Sequence, residues 1–189
     1  DSLFAHQCFM EIKKINNLLE LFYAKYQKQD KESIFLQSLK EPKKKYSWED
    51  VYSNINKLSE EVSKYIKKGD RCLLISENRP EWMIADLSIM LSGGITVPAY
   101  TTYSERDYEY IIDDCTPTIL IISDKTQFKK IKNIIPKKQF IKKIIFFENI
   151  DNFNKELYLK TDDIFKKENW NNLNFFDLEI QRKDVACII

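Results

Sequence analysis

Three short stretches of this chain hold the residue types that could act on a ligand. The first is Tyr46-Ser47-Trp48-Glu49-Asp50-Val51. A hydroxyl beside two carboxylates invites a polar role. Yet Ser47, with Asp50 three residues on, also reads as a helix cap in a variant of the capping box, and that alone explains the stretch. The second is Glu77-Asn78-Arg79-Pro80-Glu81-Trp82. It follows a strand-like run and opens a helix, which in open α/β sheets is the edge where ligands bind. Arg79 there suits a phosphate or a carboxylate, or else a structural ion pair. The third runs Ser92-Gly93-Gly94-Ile95-Thr96-Val97-Pro98-Ala99-Tyr100-Thr101-Thr102. Its glycine pair either caps a helix or lets a ligand approach the backbone closely ahead of an aromatic and hydroxyl loop.

Other chemistries lack their residues. His6 is the sole histidine and no second ligand pairs with it, which argues against a zinc site and against a histidine-based catalytic triad. Gly69, Gly93 and Gly94 are the only glycines. No glycine-rich phosphate loop or dinucleotide fingerprint exists among them, and the first βα turn, Ser76–Arg79, has no glycine to admit a pyrophosphate. Asp113-Asp114 reads as the polar end of a helix. No catalytic residue and no metal ligand is assigned from these patterns. With 30 basic against 29 acidic residues, the chain lacks the cationic excess of a nucleic-acid binder. Its longest apolar runs, such as Ile119–Ile122, fall far short of the ~20 residues that span a bilayer. Cys8, Cys72, Cys115 and Cys187 show no paired spacing. Three of them sit in apolar patterns, which suits buried reduced thiols and a cytoplasmic protein.

The elements that must hold these stretches follow from periodicity. Helical spacing of Ile12, Ile15, Leu18, Leu19, Phe22 and Tyr26 predicts an amphipathic helix over 12–28. Short strands are expected at 33–39 and 44–48 around the turn Glu41-Pro42-Lys43. A helix from Ser47 ends at Lys67-Lys68-Gly69, where cations meet its negative pole. Strands then alternate with helices. Strands are expected at 71–75, 95–97, 118–122 and 143–147; helices at 80–91, 105–114 and 126–135. Pro80 fits a helix's first turn, Pro98 closes its strand and Pro117 ends a helix. This rhythm of unbroken apolar strands predicts an α/β fold, a largely parallel sheet flanked by helices on both faces.

Residues 148–180, rich in Asn, Lys and Asp, read as a surface excursion with a weak helix around 157–167. Asp184–Ile189 reads as a buried strand with nothing polar after it, so chemistry is expected beyond it. Residues 1–9 are expected to lie outside the fold, which begins near Met10.

The three stretches occur in the order and near the spacing of AMP-forming acyl-CoA synthetases, the adenylate-forming superfamily. The run from Lys68 to Asp124, KGDRCLLISENRPEWMIADLSIMLSGGITVPAYTTYSERDYEYIIDDCTPTILIISD, especially resembles the long-chain fatty-acid–CoA ligase branch. The likeness covers about residues 45–147, with 10–44 matching loosely, and Asp184–Ile189 is similar to the strand entering the family's phosphate loop. The resemblance implies that residues 10–189 form the N-terminal part of the large AMP-binding domain, incomplete and cut before that loop. It implies a carboxylate attacking the α-phosphate of ATP with Mg²⁺ present, then displacement of AMP by the thiol of coenzyme A. Because the family's catalytic elements lie further on, this chain alone is expected to be inactive.

What the resemblance carries over is on the coenzyme A side: Tyr100, Thr101 and Thr102 near the pantetheine channel, and Lys125 and Lys129 toward nucleotide phosphates. A solvated lysine-rich helix start explains the lysines equally well, and the arginines of a firmer clamp are missing. The implied partners are small molecules, namely a fatty acid, ATP and coenzyme A. No nucleic acid and no transmembrane segment is expected. A fatty substrate implies peripheral membrane contact, although no basic amphipathic anchor is evident. Rival readings are a ligase for another carboxylic acid, a non-catalytic α/β binding module, and an unrelated doubly wound nucleotide-binding domain, the last disfavoured by the glycine-free turn.

Overall fold

The computed structural model describes residues 15–150 and 156–188. His6, Cys8, the expected boundary near Met10 and residues 12–14 of the expected 12–28 helix lie outside the described residues, and residues 15–17 are not helical, so that helix starts later than expected. Helix α1 spans Leu18–Lys28 and is capped by Asn17, whose side chain accepts from Glu20 N at 2.9 Å. Strands β1 (Ile34–Gln37) and β2 (Lys45–Ser47) form an antiparallel hairpin. Helix α2 (Trp48–Val62) starts on the expected capping box: Ser47 Oγ accepts from Asp50 N at 3.1 Å, and Asp50 Oδ2 accepts from Ser47 N at 2.8 Å. It ends at Val62, short of the expected lysines. Ser63 Oγ bonds back to Ser59 O, and Lys64 N and Tyr65 N reach carbonyls three residues back, so the last turn tightens.

The alternating rhythm is observed. Strand β3 is Arg71–Ile75, α3 is Pro80–Leu91 with Pro80 in its first turn, and β4 is Ile95–Ala99. Pro98 lies inside β4 rather than closing it. The backbone of Thr96 faces outward, to Ala186 and Ile188. Pro98 shares that parity, so its missing N–H removes no bond to β3. Helix α4 (Glu105–Cys115) carries a second capping box, Ser104 with Asp107, and stops where Thr116 turns to φ +43° ahead of Pro117. Strand β5 (Ile119–Ile122) leads into α5 (Lys125–Ile131). The single helix expected over 126–135 is instead α5 plus a short 3-10 turn at Ile135–Lys137, since Pro136 cannot continue the ladder. Then come β6 (Lys143–Phe146), β7 (Tyr158–Lys160), α6 (Thr161–Phe165) and a 3-10 turn at Phe175–Asp177.

Five strands pair in parallel in the order β4-β3-β5-β6-β7. Successive residues serve opposite faces. Cys72, Leu74, Ile119, Ile121, Ile145 and Phe147 pack with α1, α2, α3 and α6. Leu73, Ile75, Leu120, Ile122, Ile144 and Phe146 pack with α4 and α5. The sheet is therefore covered on both faces, as its apolar strands require.

Two further sequence expectations are corrected. Residues 148–180 are more than a surface excursion: they supply β7, and they bury Ile164 and Phe175, the latter ringed by Phe22, Tyr23 and Tyr52. The expected strand at 184–189 is not buried over its described residues, 184–188. It makes one parallel bridge, Thr96 to Cys187, and leaves Val185 and Ile188 about half exposed. It lies outside β4 with a pairing partner on one side only. Cys187 is consequently exposed, whereas Cys72 is buried and Cys115 half-buried.

Candidate functional site at the carboxyl edge of the sheet

Strand β3 feeds α3 on one face, while its neighbours β4 and β5 feed α4 and α5 on the other. The loops leaving β3 and β5 therefore run toward opposite faces, Ser76–Arg79 to one and Ser123–Lys125 to the other. Open sheets bind ligands at such a switch point, outside the carboxyl ends of the strands.

The β3 side of this edge is built from charge. Arg79, only 9% exposed, donates from Nε to Glu81 Oε2 at 2.9 Å and from Nη1 to Glu148 Oε1 at 2.8 Å. Glu81 also receives Tyr46 Oη at 2.8 Å and pairs with Lys44. Burial alone would raise the Glu81 carboxyl, but Arg79 and Lys44 outweigh it and hold it down to about 2. Burial also opposes ionisation of Glu77. Its own backbone N–H, Lys40, Ser123 and Arg79 prevail and lower it. Of the two readings of Arg79, the structural ion pair is what forms: its guanidinium is committed to the carboxylates joining α3, the hairpin and the end of β6. Beside it lies a cleft of about 260 Å³ lined by Leu36, Leu39, Lys40, Asn78 and Met83. The first stretch, Tyr46–Val51, serves the same network through Tyr46, and otherwise caps α2.

The β4 and β5 side is built from hydroxyls and lysines. Tyr100 is 67% exposed and its ring meets Tyr103 edge-on at 5.5 Å. Thr101 is half-buried and Thr102 exposed. Asp124 caps α5 by accepting from Gln127 N at 2.9 Å, which fixes Lys125 as the first helical residue. Lys125 and Lys129 are exposed on that helix. The structure thus brings the Tyr100–Thr102 loop and α5 to adjoining parts of one edge. The contact between them is made by Lys130, one residue past Lys129, which donates to Thr101 O at 2.7 Å and Tyr103 O at 2.9 Å. Sequence reading missed Lys130, because which α5 lysine meets the loop depends on how the helix is rotated against α4. It also missed Gln127, although Asp124 followed three residues later by Gln127 is a capping signature. Gly93 and Gly94 turn the chain from α3 into β4 at the opposite, amino end of the sheet, so they do not line this edge. Among the described residues no cluster of three or more His, Cys, Asp or Glu is placed to hold a metal ion. No helix there is long and apolar enough to cross a membrane.

A family model described as AMP-binding enzyme matches residues 22–189. The chain belongs to the AMP-binding enzyme family. Curated relatives agree with that membership. A long-chain-fatty-acid–CoA ligase of Gallus gallus is 37% identical over 54 residues, 29% of this chain and 7% of the relative. One of Homo sapiens is 25% identical over 112 residues, 56% of this chain and 16% of the relative. One of Mycobacterium tuberculosis is 34% identical over 59 residues, 31% of this chain and 10% of the relative. The chain thus spans a small part of the length of the relatives it matches. Among solved structures, the coronafacic acid ligase of Pectobacterium brasiliense superimposes with TM-score 0.67 at 17% identity, covering 81% of this chain and 30% of that one. An anthranilate CoA ligase bound to anthranoyl-AMP gives 0.66 at 19%, covering 80% and 27%. At such identities these two speak for the fold.

Proposed function

We propose that this chain is the N-terminal part of an ATP-dependent long-chain fatty-acid–CoA ligase. The whole enzyme joins a fatty carboxylate to AMP and then passes the acyl group to the thiol of coenzyme A, with Mg²⁺ supporting the first step. The observation that carries the reading is the family match over residues 22–189, to which the names of the curated relatives add the substrate class. Within it, Tyr100, Thr101 and Thr102 lie on the coenzyme A side, with Lys125 and Lys129 toward its phosphates. Their chemistry fits that cosubstrate. Hydroxyls and an exposed ring suit an amide-bearing arm, and cations at the start of a helix suit phosphate oxygens. The acid-activating parts are assigned to sequence outside this chain, so residues 1–189 alone are inactive in this reading. Peripheral contact with a lipid surface follows from the substrate's class.

A second reading, a ligase for a smaller or aromatic carboxylic acid, is favoured by the named substrates of the two structural neighbours. Carboxylate-dependent exchange of pyrophosphate into ATP, measured on the natural full-length protein across fatty, aromatic and short-chain acids, separates the two. Selective exchange with long-chain acids supports the first. Exchange confined to aromatic or short-chain acids supports the second, and no exchange with any acid refutes both.

A further inference from the structure

The loop after β4 is held by its carbonyls. Tyr108 Oη, on α4, lies 2.8 Å from Tyr100 O and 3.0 Å from Gln127 Oε1 on α5. Lys130 Nζ takes the next two accessible acceptors, Thr101 O at 2.7 Å and Tyr103 O at 2.9 Å. A fourth bond, Tyr103 N to Tyr100 O at 3.2 Å, closes the turn on itself. Three of the four carbonyls from residue 100 to 103 are thereby turned toward the protein. The loop's outward surface is left to the Tyr100 ring and the Thr102 side chain, both exposed.

Lys130 alone ties two of those carbonyls, and it does so with a charge. Its ammonium stands 5.7 Å from the Tyr108 ring centroid, so the same aromatic that holds Tyr100 also faces the lysine. Among the described residues no carboxylate lies within ion-pair distance of Lys130. A neutral donor could satisfy one carbonyl. A three-donor ammonium satisfies both and leaves positive charge beneath the loop.

We infer that Lys130 is a positioning residue for the thiol-bearing cosubstrate: it fixes Tyr100–Thr102 in the conformation that receives the ligand, without touching the ligand itself. This inference rests on reading that loop as the coenzyme A side. Pre-organising a loop lowers the cost of binding, so its loss appears in affinity for the ligand that the loop receives.

The test uses the natural full-length protein with Lys130→Met, Lys130→Arg and, as a control at the C-cap of the same helix, the exposed Lys132→Met. Lys130→Met is expected to raise the KM for coenzyme A roughly tenfold or more, the effect of one lost charge-assisted hydrogen bond. Pyrophosphate exchange, which precedes the thiol step, stays within about twofold of wild type. Lys130→Arg, whose fork also reaches two acceptors, restores most of the KM, and Lys132→Met leaves it unchanged. Hydrogen exchange at the Tyr103 amide accelerates in Lys130→Met alone. An unchanged KM in a folded Lys130→Met protein overturns the inference. So does an equal loss in pyrophosphate exchange, or a variant that fails to fold, since either assigns Lys130 to stability. Wild-type protein that shows no exchange with any acid refutes the ligase reading instead, and the amide-exchange result still reports on the loop.

Discussion

Arg79 Nε lies 2.9 Å from Oε2 of Glu81, a carboxylate whose side chain is 1% exposed. The two residues flank Pro80, so the first turn of α3 is locked to the loop residue that precedes it. Removing one partner of such a pair leaves a buried charge and costs about 3–5 kcal/mol. Lys44 and Tyr46 remain on Glu81 when Arg79 is gone, so Arg79→Met should fall at the low end, about 3 kcal/mol. Urea unfolding checks it: a midpoint shift worth less than about 1 kcal/mol would show that the guanidinium is dispensable.

The same pair sets an acid limit on stability. The Glu81 carboxyl is held at about 2, below its ordinary value of 4.5. A depressed carboxyl contributes stability that is fully present above the unfolded value. It is lost as pH falls from about 4.5 through about 2. The loss is on the order of 3 kcal/mol, at roughly 1.4 kcal/mol for each tenfold change in proton affinity. Glu81→Gln should flatten the stability profile between pH 5 and pH 2, read as unfolding free energy against pH at about those limits. A profile as steep as the wild type's would move the acid sensitivity to other carboxylates.

Local chemistry was legible in the sequence wherever a residue acts on its own neighbours. Ser47 with Asp50 sets one helix start and Pro80 another, and the apolar runs expected at 71–75 and 143–147 become strands at 71–75 and 143–146. Features defined by distant partners were not legible. Tyr158-Leu159-Lys160 is too short and mixed to read as a strand, and it becomes β7 because β6 offers it a parallel ladder. Phe175 sits in a polar tract and is buried because Phe22, Tyr23 and Tyr52 surround it. In the candidate site, the loop 100–102 and the lysines of α5 were both marked. The lysine that joins them was not, since Lys129 and Lys130 differ only in which way the helix turns them. The terminal run at 184–189 misled for the converse reason. Its apolar residues fit a core strand, but a sheet edge accepts the same pattern.

Gly93 takes φ +79° at the turn from α3 into β4, where its N–H bonds to Met90 O at 3.0 Å. A Cβ there would meet Lys68 at no closer than 3.6 Å, so space is not the obstacle. The backbone conformation is. Gly93→Ala should destabilise by about 1 kcal/mol from left-handed strain alone, measured by thermal or urea unfolding. Gly94→Ala acts by a different route: its Cβ would lie 2.9 Å from Ile66 Cδ1 and 3.0 Å from Ile89 Cγ2, inside the core. A stabilised Gly93→Ala protein would mean that the turn adopts another conformation in solution.

The cysteines should separate by reactivity with a thiol reagent. Cys72 is fully buried on β3, and burial pushes its thiol up to about 12. Cys115, half-buried at the end of α4, is raised by burial to about 11, with Arg71 pulling the other way. Cys187 is exposed on the outer edge of β4, and burial followed by Asp86 raises its thiol. Since the thiolate reacts, and access governs how often it is reached, the expected order at neutral to mildly alkaline pH is Cys187, then Cys115, then Cys72. Cys72 should label only at the rate of unfolding. A Cys8→Ser background, with labelled peptides identified by mass, gives each rate separately. Cys72 labelling as fast as Cys187 would place β3 at an accessible position and contradict a sheet covered on both faces.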